Sequence, residues 1–545
     1  MNRQPLLAGV AMGAVALLAL TACAPRDGGS TGSGAAAAPT ELTTVMPAGQ
    51  TPVDEVTWSI VEGEPATLDP ASAASLITPN LCENLLRLEP DFSVTEGLAT
   101  RAEWVDPVTF EIDLREGVTF WDGTPMTAAD VIFSLQRNMT PESQWYAAFV
   151  LVSSIEQTGD LQVTVRFNAP DSIFRDALSG GGGAVMSQAH ATKTGGQVGT
   201  SETGLMCTGP FQLDDWVPGT EIVTTANPGY WGTAPLVETM RFVFITDSTT
   251  LTTALTAGEI DGAFNVPPAS RAALEGDGAG TLVVGPSTAS YSFGPTTDQG
   301  PAANPMIRQA LSLAIDRQQY IDTVLNGLGY VQKTLVPPFS FEQMEASAIY
   351  EAGYEALATP EVDLERAKEL VAESGEDVSQ PIVIAVPAGA TEFQQTAQII
   401  QSAGAQIGLT IEIDAKQPSD FGAMFYDPAG REGTDFVSTQ GYLDSPGVLG
   451  YPSLFMMPAE LGGVFNWSGY SNPDVIQFMQ AARTTPDLTE AAEAYVAAQE
   501  IFAPDQLQVS LAGAYHLTYV SKELTGAVTS IAAYSSPWAL ALGGK

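Results

Sequence analysis

The chain alternates short apolar runs with longer amphipathic runs. Strands are predicted where β-branched or alternating apolar residues follow one another, and these runs are VTWSI (56–60), TFEIDL (109–114), LQVTVRF (161–167) and MRFVFI (240–245). Helices are predicted where an amphipathic run begins at a capping residue or ends at glycine, and these cover 127–135, 247–258, 304–315, 363–375, 472–483 and 489–502.

One strand–helix–strand unit stands out in the second half of the chain. Residues 381–386 (PIVIAV) and 409–414 (LTIEID) predict strands, and 391–407 between them predicts a helix. Two strands joined by a helix within about 30 residues are typical of a parallel βαβ crossover. We therefore expect an α/β fold, and the chain length indicates more than one domain.

The first 22 residues have the form of a signal peptide. Arg3 makes the start positive, and the apolar run 6–20 is shorter than the about 20 residues that span a membrane. The run leads into Leu-Thr-Ala-Cys (20–23), which resembles the lipobox of bacterial lipoproteins, where the cysteine is acylated and becomes the new N-terminus. We expect cleavage before Cys23 and lipid on that residue. The alternatives are secretion with a free cysteine and an uncleaved anchor.

Residues 24–53 are mostly small, polar or turn-forming, which predicts a flexible tether with a reach on the order of 30 Å. No later run approaches 18 uninterrupted apolar residues, so lipid on Cys23 is the expected link to the membrane. The predicted location is the extracytoplasmic face of the cell membrane.

The charge balance of the chain excludes one class of partner. With 21 Lys and Arg against 63 Asp and Glu, the net charge is −42, whereas phosphate backbones require a cationic face. The same charge opposes adhesion to anionic lipid. An acidic surface could favour cationic solutes, but solubility is the simpler interpretation.

The chain has three cysteines, and lipid would occupy Cys23. Cys82 and Cys207 are then an even pair in an oxidising compartment, which favours a disulfide between them. The alternative is two buried free thiols.

Eight stretches, in order along the chain, resemble the family 5 solute-binding proteins of ABC importers, a group of peptide and nickel receptors. The longest is TFEIDLREGVTFWDGTPMTAADVIFSL (109–135). The others are PATLDPA (65–71), CTGPFQLDDW (207–216), NPGYW (227–231), LTTALTAGEIDGAF (251–264), IRQALSLAIDR (307–317), LERAKELVAESG (364–375) and GYSNPDVIQFMQAA (469–482). The motifs are turn and packing elements, so they identify a fold and carry no chemistry.

The resemblance implies a two-lobed periplasmic-binding-protein-like clamp of type II, with an extra subdomain inserted in the first lobe. Its expected parts are 54–90, 200–293 and 508–545 for lobe I, 91–199 for the inserted subdomain and 294–507 for lobe II. Crossings near 290–295 and 508–511 would form the hinge about which the lobes close on a ligand. The resemblance also implies a monomer that works with ABC permease subunits.

The sequence offers no motif of a catalytic or metal centre. Its two histidines, His190 and His516, stand alone, without the spacing of a zinc site. Nucleophile-elbow and phosphate-loop motifs are absent from the sequence, and Gly180–Gly183 is interpreted as a flexible surface turn. We expect no enzyme activity, metal or cofactor. A lipid-anchored hydrolase is the alternative class.

The resemblance places the ligand between the lobes, against the loop after 381–386, the segment 438–447, the run near 467 and the stretch 65–75. The residues predicted to contact it are Tyr442 and Trp467 by stacking, Gln440 and Asn466 by hydrogen bonds, Asp444 by pairing with a ligand ammonium, and Tyr291 from the hinge strand. Core or interlobe packing is the alternative role for each aromatic residue.

The chain also departs from the peptide-binding pattern. Dipeptide receptors tend to place an arginine after the strand equivalent to 381–386, to hold the peptide carboxylate, but residues 387–390 here read Pro-Ala-Gly-Ala. No histidine falls in the expected pocket segments, which disfavours nickel. Peptide is the leading hypothesis for the ligand; a sugar, an opine or a metal chelate is the second. A role outside transport, as an enzyme, a chaperone or a signalling partner, is the third.

Overall fold

The computed structural model describes residues 41–545 except 73, 277, 426 and 442–446. The strands within these residues, in chain order, are β1 Val53–Ile60, β2 Leu86–Leu88, β3 Val94–Glu96, β4 Ala99–Asp106, β5 Thr109–Leu114, β6 Val152–Gly159, β7 Gln162–Phe167, β8 Phe211–Val217, β9 Glu221–Ala226, β10 Val237–Phe244, β11 Gly262–Ala263, β12 Gly280–Gly285, β13 Ser290–Pro295, β14 Gly329–Tyr330, β15 Ile382–Pro387, β16 Ile411–Lys416, β17 Phe436–Gly441, β18 Val509–Ala514, β19 His516–Ser521, β20 Leu524–Thr525 and β21 Gly543–Gly544.

The α-helices within the same residues, in chain order, are α1 Thr78–Leu81, α2 Ala128–Arg137, α3 Tyr146–Phe149, α4 Phe174–Ala177, α5 Gln188–Lys193, α6 Ser248–Ala257, α7 Arg271–Leu274, α8 Gly300–Ala303, α9 Pro305–Ala314, α10 Arg317–Thr323, α11 Ser347–Ala356, α12 Leu364–Glu373, α13 Thr391–Gln406, α14 Pro418–Ala423, α15 Gly450–Met456, α16 Pro473–Thr484 and α17 Leu488–Asp505.

The predicted helix starts are confirmed because capping side chains satisfy free backbone N–H groups. The side chains of Asp247 and Asp363 accept hydrogen bonds from the first turns of α6 and α12. Before α2, the backbone N–H and Oγ1 of Thr127 donate to Oδ2 of Asp130 at 3.0 and 2.6 Å. Helix α6 ends where Gly258 takes a φ of +69°, a conformation that favours glycine.

The first large sheet has the strand order β12-β19-β11-β1-β10-β9-β8. Strand β1 runs parallel to both β10 and β11, and the other pairs are antiparallel. Three buried aromatic rings fill one core against this sheet: Trp538 lies 4.8 Å from Trp58 and 4.7 Å from Phe264, between ring centroids. The last residues of the chain therefore complete the core that the first strand begins.

The second large sheet has the order β14-β18-β13-β17-β15-β16. Strand β15 runs parallel to β16 and β17, which confirms the predicted β15-α13-β16 crossover. Strands β13 and β18 cover the segments expected at the hinge, and they are antiparallel neighbours inside this sheet. The chain passes from the first large sheet to the second at 286–289, between β12 and β13, and returns to the first at Tyr515, between β18 and β19.

A four-stranded antiparallel sheet, β4-β5-β7-β6, is formed by strands within 99–167. Its buried face shares one hydrophobic cluster with α11, α16 and α17 from the second half of the chain. Arg483 at the end of α16 reaches Asp171 with two hydrogen bonds of 3.0 and 2.6 Å, and both residues are buried. This ion pair links the segment after β7 to the helices.

The interpretation of Gly180–Gly183 as a flexible surface turn is wrong. Gly181–Gly183 forms a short 3₁₀ helix, and Gly182 and Gly183 are buried. A Cβ atom on Gly183 would lie 2.1 Å from the carbonyl oxygen of Leu178. Glycine is needed here because the backbone is packed against other backbone, and the sequence alone does not distinguish this from a loop.

A disulfide joins Cys82 to Cys207, with 4.9 Å between their Cα atoms. The next residue along each segment is part of a buried polar cluster, which we call the Glu83 cluster. The Glu83 carboxylate accepts hydrogen bonds from Thr208 Oγ1 (2.8 Å), Tyr230 OH (2.9 Å) and Trp231 Nε1 (2.9 Å). Two of the recognised motifs, CTGPFQLDDW and NPGYW, thus supply donors to one internal acceptor, which is a structural role.

Candidate ligand-binding site

A cavity of about 550 Å³ lies where strand ends from both large sheets meet. Glu62 follows β1 and Asn265 follows β11 on one side; Pro387 ends β15 and Gln440 lies near the end of β17 on the other. In open α/β sheets, ligands bind outside the carboxyl ends of the strands. The volume is within the range of small-molecule sites.

Aromatic side chains form the wall of the cavity on the side of the second sheet. Their ring centroids are 5.1–6.1 Å from those of their neighbours, which is the usual range for edge-to-face and tilted pairs. This aromatic wall consists of Phe421, Phe425, Tyr451, Phe455, Phe465 and Trp467. Such a wall offers stacking and apolar contact to a ligand, and it has few polar atoms that need hydrogen-bond partners.

Trp467 is held in the aromatic wall by its own loop and by a cation. The Arg431 guanidinium lies 4.4 Å from the centre of the indole, and its Nη1 donates to the carbonyl of Met424 at 2.6 Å. Asn466 fixes the loop: its Nδ2 donates to the carbonyls of Met457 (3.1 Å) and Tyr470 (2.8 Å), and its Oδ1 accepts from the backbone N–H of Tyr470. Asn466 therefore orients Trp467.

Helix α3 and the residues just before it provide a third wall. Trp145, Ala147 and Ala148 line the cavity, and the indole Nε1 of Trp145 donates to the carbonyl of Pro70 at 3.0 Å. The stretch 65–75, expected to contact the ligand, thus supports Trp145 through Pro70, and none of its described residues lines the cavity.

Two carboxylates line the cavity, and their surroundings differ. Glu62 accepts a hydrogen bond of 2.8 Å from the hydroxyl of Tyr534 and another from Nδ2 of Asn265, which itself takes a φ of +50°. Glu392, in the first turn of α13, has a buried oxygen, Oε2, that accepts no hydrogen bond from any residue the structure describes. Burial is the main cause that raises the pKa of Glu392 above its ordinary value.

Positive side chains are missing from the cavity lining, as far as the described residues go: none of those that line it is Lys, Arg or His. The sequence showed no cation at residues 387–390 that could hold a ligand carboxylate, and the rest of the described lining supplies none either. A negative cavity without a cation favours a ligand group that is neutral or positive.

The structure places four of the six predicted ligand contacts. Trp467 and Gln440 line the cavity. Tyr291 is buried beside it, 5.8 Å from the ring of Phe393 that does line the cavity, and its backbone pairs with Gln440. Asn466 lies in the loop behind Trp467. Tyr442 and Asp444, like the lipidation residue Cys23, lie outside the described residues, so all six stay predictions as ligand contacts.

Glu392 and most of the aromatic wall were missed at the level of sequence. Glu392 is five residues after Pro387 and belongs to no motif, and its burial depends on how α13 packs. The phenylalanines of α14 and its surroundings carry no motif. A local excess of phenylalanine at 421 and 425 is the one available signal.

Metal-ligating clusters of three or more His, Cys, Asp or Glu side chains do not occur within the described residues. Burial lowers the pKa of His516 to about 3, so the ring is neutral. None of the helices between 41 and 545 that the structure describes has the length and apolar character needed to cross a bilayer.

A cavity between the strand ends of two α/β sheets, lined by aromatic residues, defines a solute-binding protein with the two-lobed fold of periplasmic binding proteins. The chain belongs to the bacterial extracellular solute-binding proteins, family 5, because the model of the middle region of that family matches residues 93–460. The resemblance noted in the sequence is thereby confirmed. This family works with ABC importers.

Individual relatives agree with this assignment. The glutathione-binding protein GsiB of Escherichia coli (strain K12) is 26% identical to this chain over 470 residues, which cover 84% of this chain and 89% of that protein. GsiB of Salmonella typhi is 27% identical over the same shares. Both are named as binding proteins.

Two solved structures have the same fold. One is AgaA from A. tumefaciens R10 in complex with agropinic acid, with a TM-score of 0.79, 22% identity and coverage of 90% of this chain and 99% of that one. The other is the oligopeptide-binding protein AppA of Bacillus subtilis in complex with a nonapeptide, with a TM-score of 0.79, 18% identity and coverage of 91% and 99%. The expected α/β fold class is confirmed.

Proposed function

We propose that the protein captures a peptide or peptide-like solute in this cavity and delivers it to the permease of an ABC importer. The observation that carries the proposal is the aromatic cavity of about 550 Å³ at the strand ends of both sheets. Aromatic faces can pack on peptide side chains of different shapes, while strand ends offer backbone groups for hydrogen bonds.

The relatives support a peptide-like solute and also define the alternative. GsiB is named for glutathione, and AppA was solved with a nonapeptide. AgaA was solved with agropinic acid, so the same fold also accommodates a ligand other than a peptide. A sugar, opine or chelate in the same cavity is the second candidate.

Mass spectrometry of ligand released from protein purified without denaturation tests the proposal. A mixture of peptides, or one peptide-like species, is the expected result. Release of a single sugar, opine or chelate would contradict the peptide proposal and support the second candidate. Turnover of a panel of peptides and esters by the purified protein would contradict a pure binding role.

We propose that two lobes close on the solute by rotation. The strand pairing supports boundaries slightly different from those expected: 54–90, 200–289 and 515–545 for the first lobe, 91–199 for the inserted subdomain and 290–514 for the second lobe. The linkers would then be 286–289 and Tyr515. A smaller radius of gyration in solution scattering on addition of ligand is expected, and an unchanged one would contradict closure.

We propose that lipid on Cys23 holds the protein at the extracytoplasmic face of the membrane, as a monomer. A tether of about thirty residues would keep the binding protein near its permease at high effective concentration. Changing Cys23→Ala should move the protein from the membrane fraction to the soluble fraction and reduce uptake, while ligand affinity in solution is retained. Membrane retention of this variant would contradict the anchor.

A further inference from the structure

We propose that Glu392 is the counter-ion for a positive side chain of the bound solute, so that the protein selects peptides or peptide-like solutes that carry an ammonium or guanidinium group on a side chain. This inference rests on the proposed function and narrows the solute class. It concerns a residue other than those the resemblance to the family implied.

The first argument is the state of the Glu392 carboxylate. Its Oε2 atom is buried and accepts no hydrogen bond from the described residues, although the residue lines the cavity. The charge of Glu392 contributes to the raised pKa of the phenols of Tyr291 and Tyr320, which lie near it. The Tyr320 hydroxyl already shares a hydrogen bond of 2.9 Å with Thr396 Oγ1.

The second argument is the cost of leaving such a group alone. A buried carboxylate oxygen that accepts no hydrogen bond destabilises a fold, and pairing it within the low-dielectric interior removes much of that cost. Two buried carboxylates elsewhere in the described residues do have donors: Asp171 has Arg483, and Glu83 has three donors. The partner of Glu392 is therefore expected to come from the solute.

The third argument is the sign of the cavity as a whole. Glu62 adds a second carboxylate on the opposite side, which accepts hydrogen bonds from Tyr534 and Asn265. No described lining residue is cationic. A positive group gains from both carboxylates, whereas a free carboxylate of a ligand meets no ion-pair partner among these residues.

The position of Glu392 makes the pairing selective. The residue lies next to Phe393, which lines the cavity and contacts Tyr291, so the carboxylate sits beside apolar surface. A lysine or arginine side chain can lie along that surface through its methylene groups and present its charge at the end. Norleucine, which has the same chain without the ammonium group, would make only the first contact.

The experiment compares matched peptide pools. Ligand-free protein, prepared by unfolding, dialysis and refolding, is titrated with pools of three- to five-residue peptides in which one position is either lysine or norleucine. Binding is followed by native mass spectrometry and calorimetry. The variant Glu392→Gln removes the charge at nearly constant shape. The control Glu412→Gln removes a charge from an exposed position on β16, outside the cavity lining.

The unchanged protein should bind at least one lysine pool about tenfold more tightly than the matched norleucine pool, since tenfold corresponds to about 1.4 kcal/mol. Glu392→Gln should abolish this preference, and Glu412→Gln should keep it. Equal binding of the two pools, or a preference that survives in Glu392→Gln, would overturn the role of Glu392 and leave the peptide proposal standing. Binding of no pool at all would remove the peptide proposal and this inference with it.

Discussion

Glu83 and Glu392 are both carboxylates withdrawn from water, and burial raises the pKa of each above its ordinary value. Around Glu83 the chain supplies Thr208, Tyr230 and Trp231 as donors, all three from segments that carry family motifs. Around Glu392 the described residues supply no donor to Oε2. The described residues therefore satisfy the hydrogen-bonding capacity of the Glu83 carboxylate, but they leave Oε2 of Glu392 without a donor.

This difference separates polar groups that hold the fold from polar groups that face a solute. A buried hydrogen-bond network that is fully satisfied specifies one structure. A buried polar group without a partner lowers the stability of the ligand-free protein. It can then form its hydrogen bond or ion pair with a ligand, which strengthens binding. Mutations in the Glu83 cluster should therefore lower the free energy of unfolding, whereas mutations in the cavity wall should weaken the affinity for the solute.

The largest effect is expected at the disulfide beside the Glu83 cluster. Replacing Cys82 and Cys207 with serine opens a loop whose ends are 125 residues apart. In the chain-entropy model this costs about 4–5 kcal/mol of unfolding free energy. Urea unfolding of the double variant should show a clearly lower midpoint, with solute affinity retained below the transition. Equal midpoints with and without reductant in the unchanged protein would contradict it.

The next effect is expected from Glu83→Ala. The change leaves Trp231 Nε1, Thr208 Oγ1 and Tyr230 OH without their acceptor and should cost about 3 kcal/mol. Chemical denaturation measures the loss, and titration with the natural solute should show an affinity within about twofold of the unchanged protein. A stable variant with weakened binding would reverse the roles assigned to the two regions.

A smaller effect, seen in affinity, is expected from Trp467→Ala. Loss of one ring from the aromatic wall should weaken solute binding about tenfold, or about 1.4 kcal/mol. Trp216→Ala is the matched control, because Trp216 lies on β8 and does not line the cavity. Calorimetric titration compares the two. Similar losses in both variants would indicate a general effect on the fold.

The smallest effect, of opposite sign, is expected from Glu392→Gln in ligand-free protein. The variant should be about 1 kcal/mol more stable than the unchanged protein at pH 7–8, because a buried carboxylate no longer has to ionise. The pKa of Glu392 is raised in the folded state. Below the unfolded pKa of about 4.3 the carboxyl is protonated in both states and does not lower the free energy of unfolding. Its destabilising effect develops as the pH rises from there through the folded pKa. The two urea midpoints should therefore converge near pH 4. A variant less stable at neutral pH would show that Glu392 has an internal partner.

Local sequence features predicted much of the fold. The capping residues Asp247 and Asp363, the glycine stop at 258 and the β15-α13-β16 crossover depend on neighbours close in sequence, and all were found as predicted. The segments 290–295 and 508–511 were expected at the hinge. Their pairing as β13 and β18 could not be predicted, because it joins residues more than two hundred positions apart.

The site was predicted less completely, for the same physical reason. The resemblance led to Trp467 and Gln440, which line the cavity, and also to Asn466, whose amide is used inside its own loop. An asparagine that binds a ligand and one that orders a turn have the same local sequence. The isolation of Glu392 arises from the packing of α13 against distant residues, which no short motif records.

The position of β19 has a consequence for how the chain is made. This strand lies between β11 and β12, and the ring of Trp538 completes the core of Trp58 and Phe264. A chain that emerges N-terminus first therefore presents an unfinished sheet until its last thirty residues are available. Interrupted synthesis or early proteolytic loss of this end would leave large aromatic surfaces uncovered. Loss of β19 and Trp538 would thus remove an inner strand of the sheet and one ring of its core together.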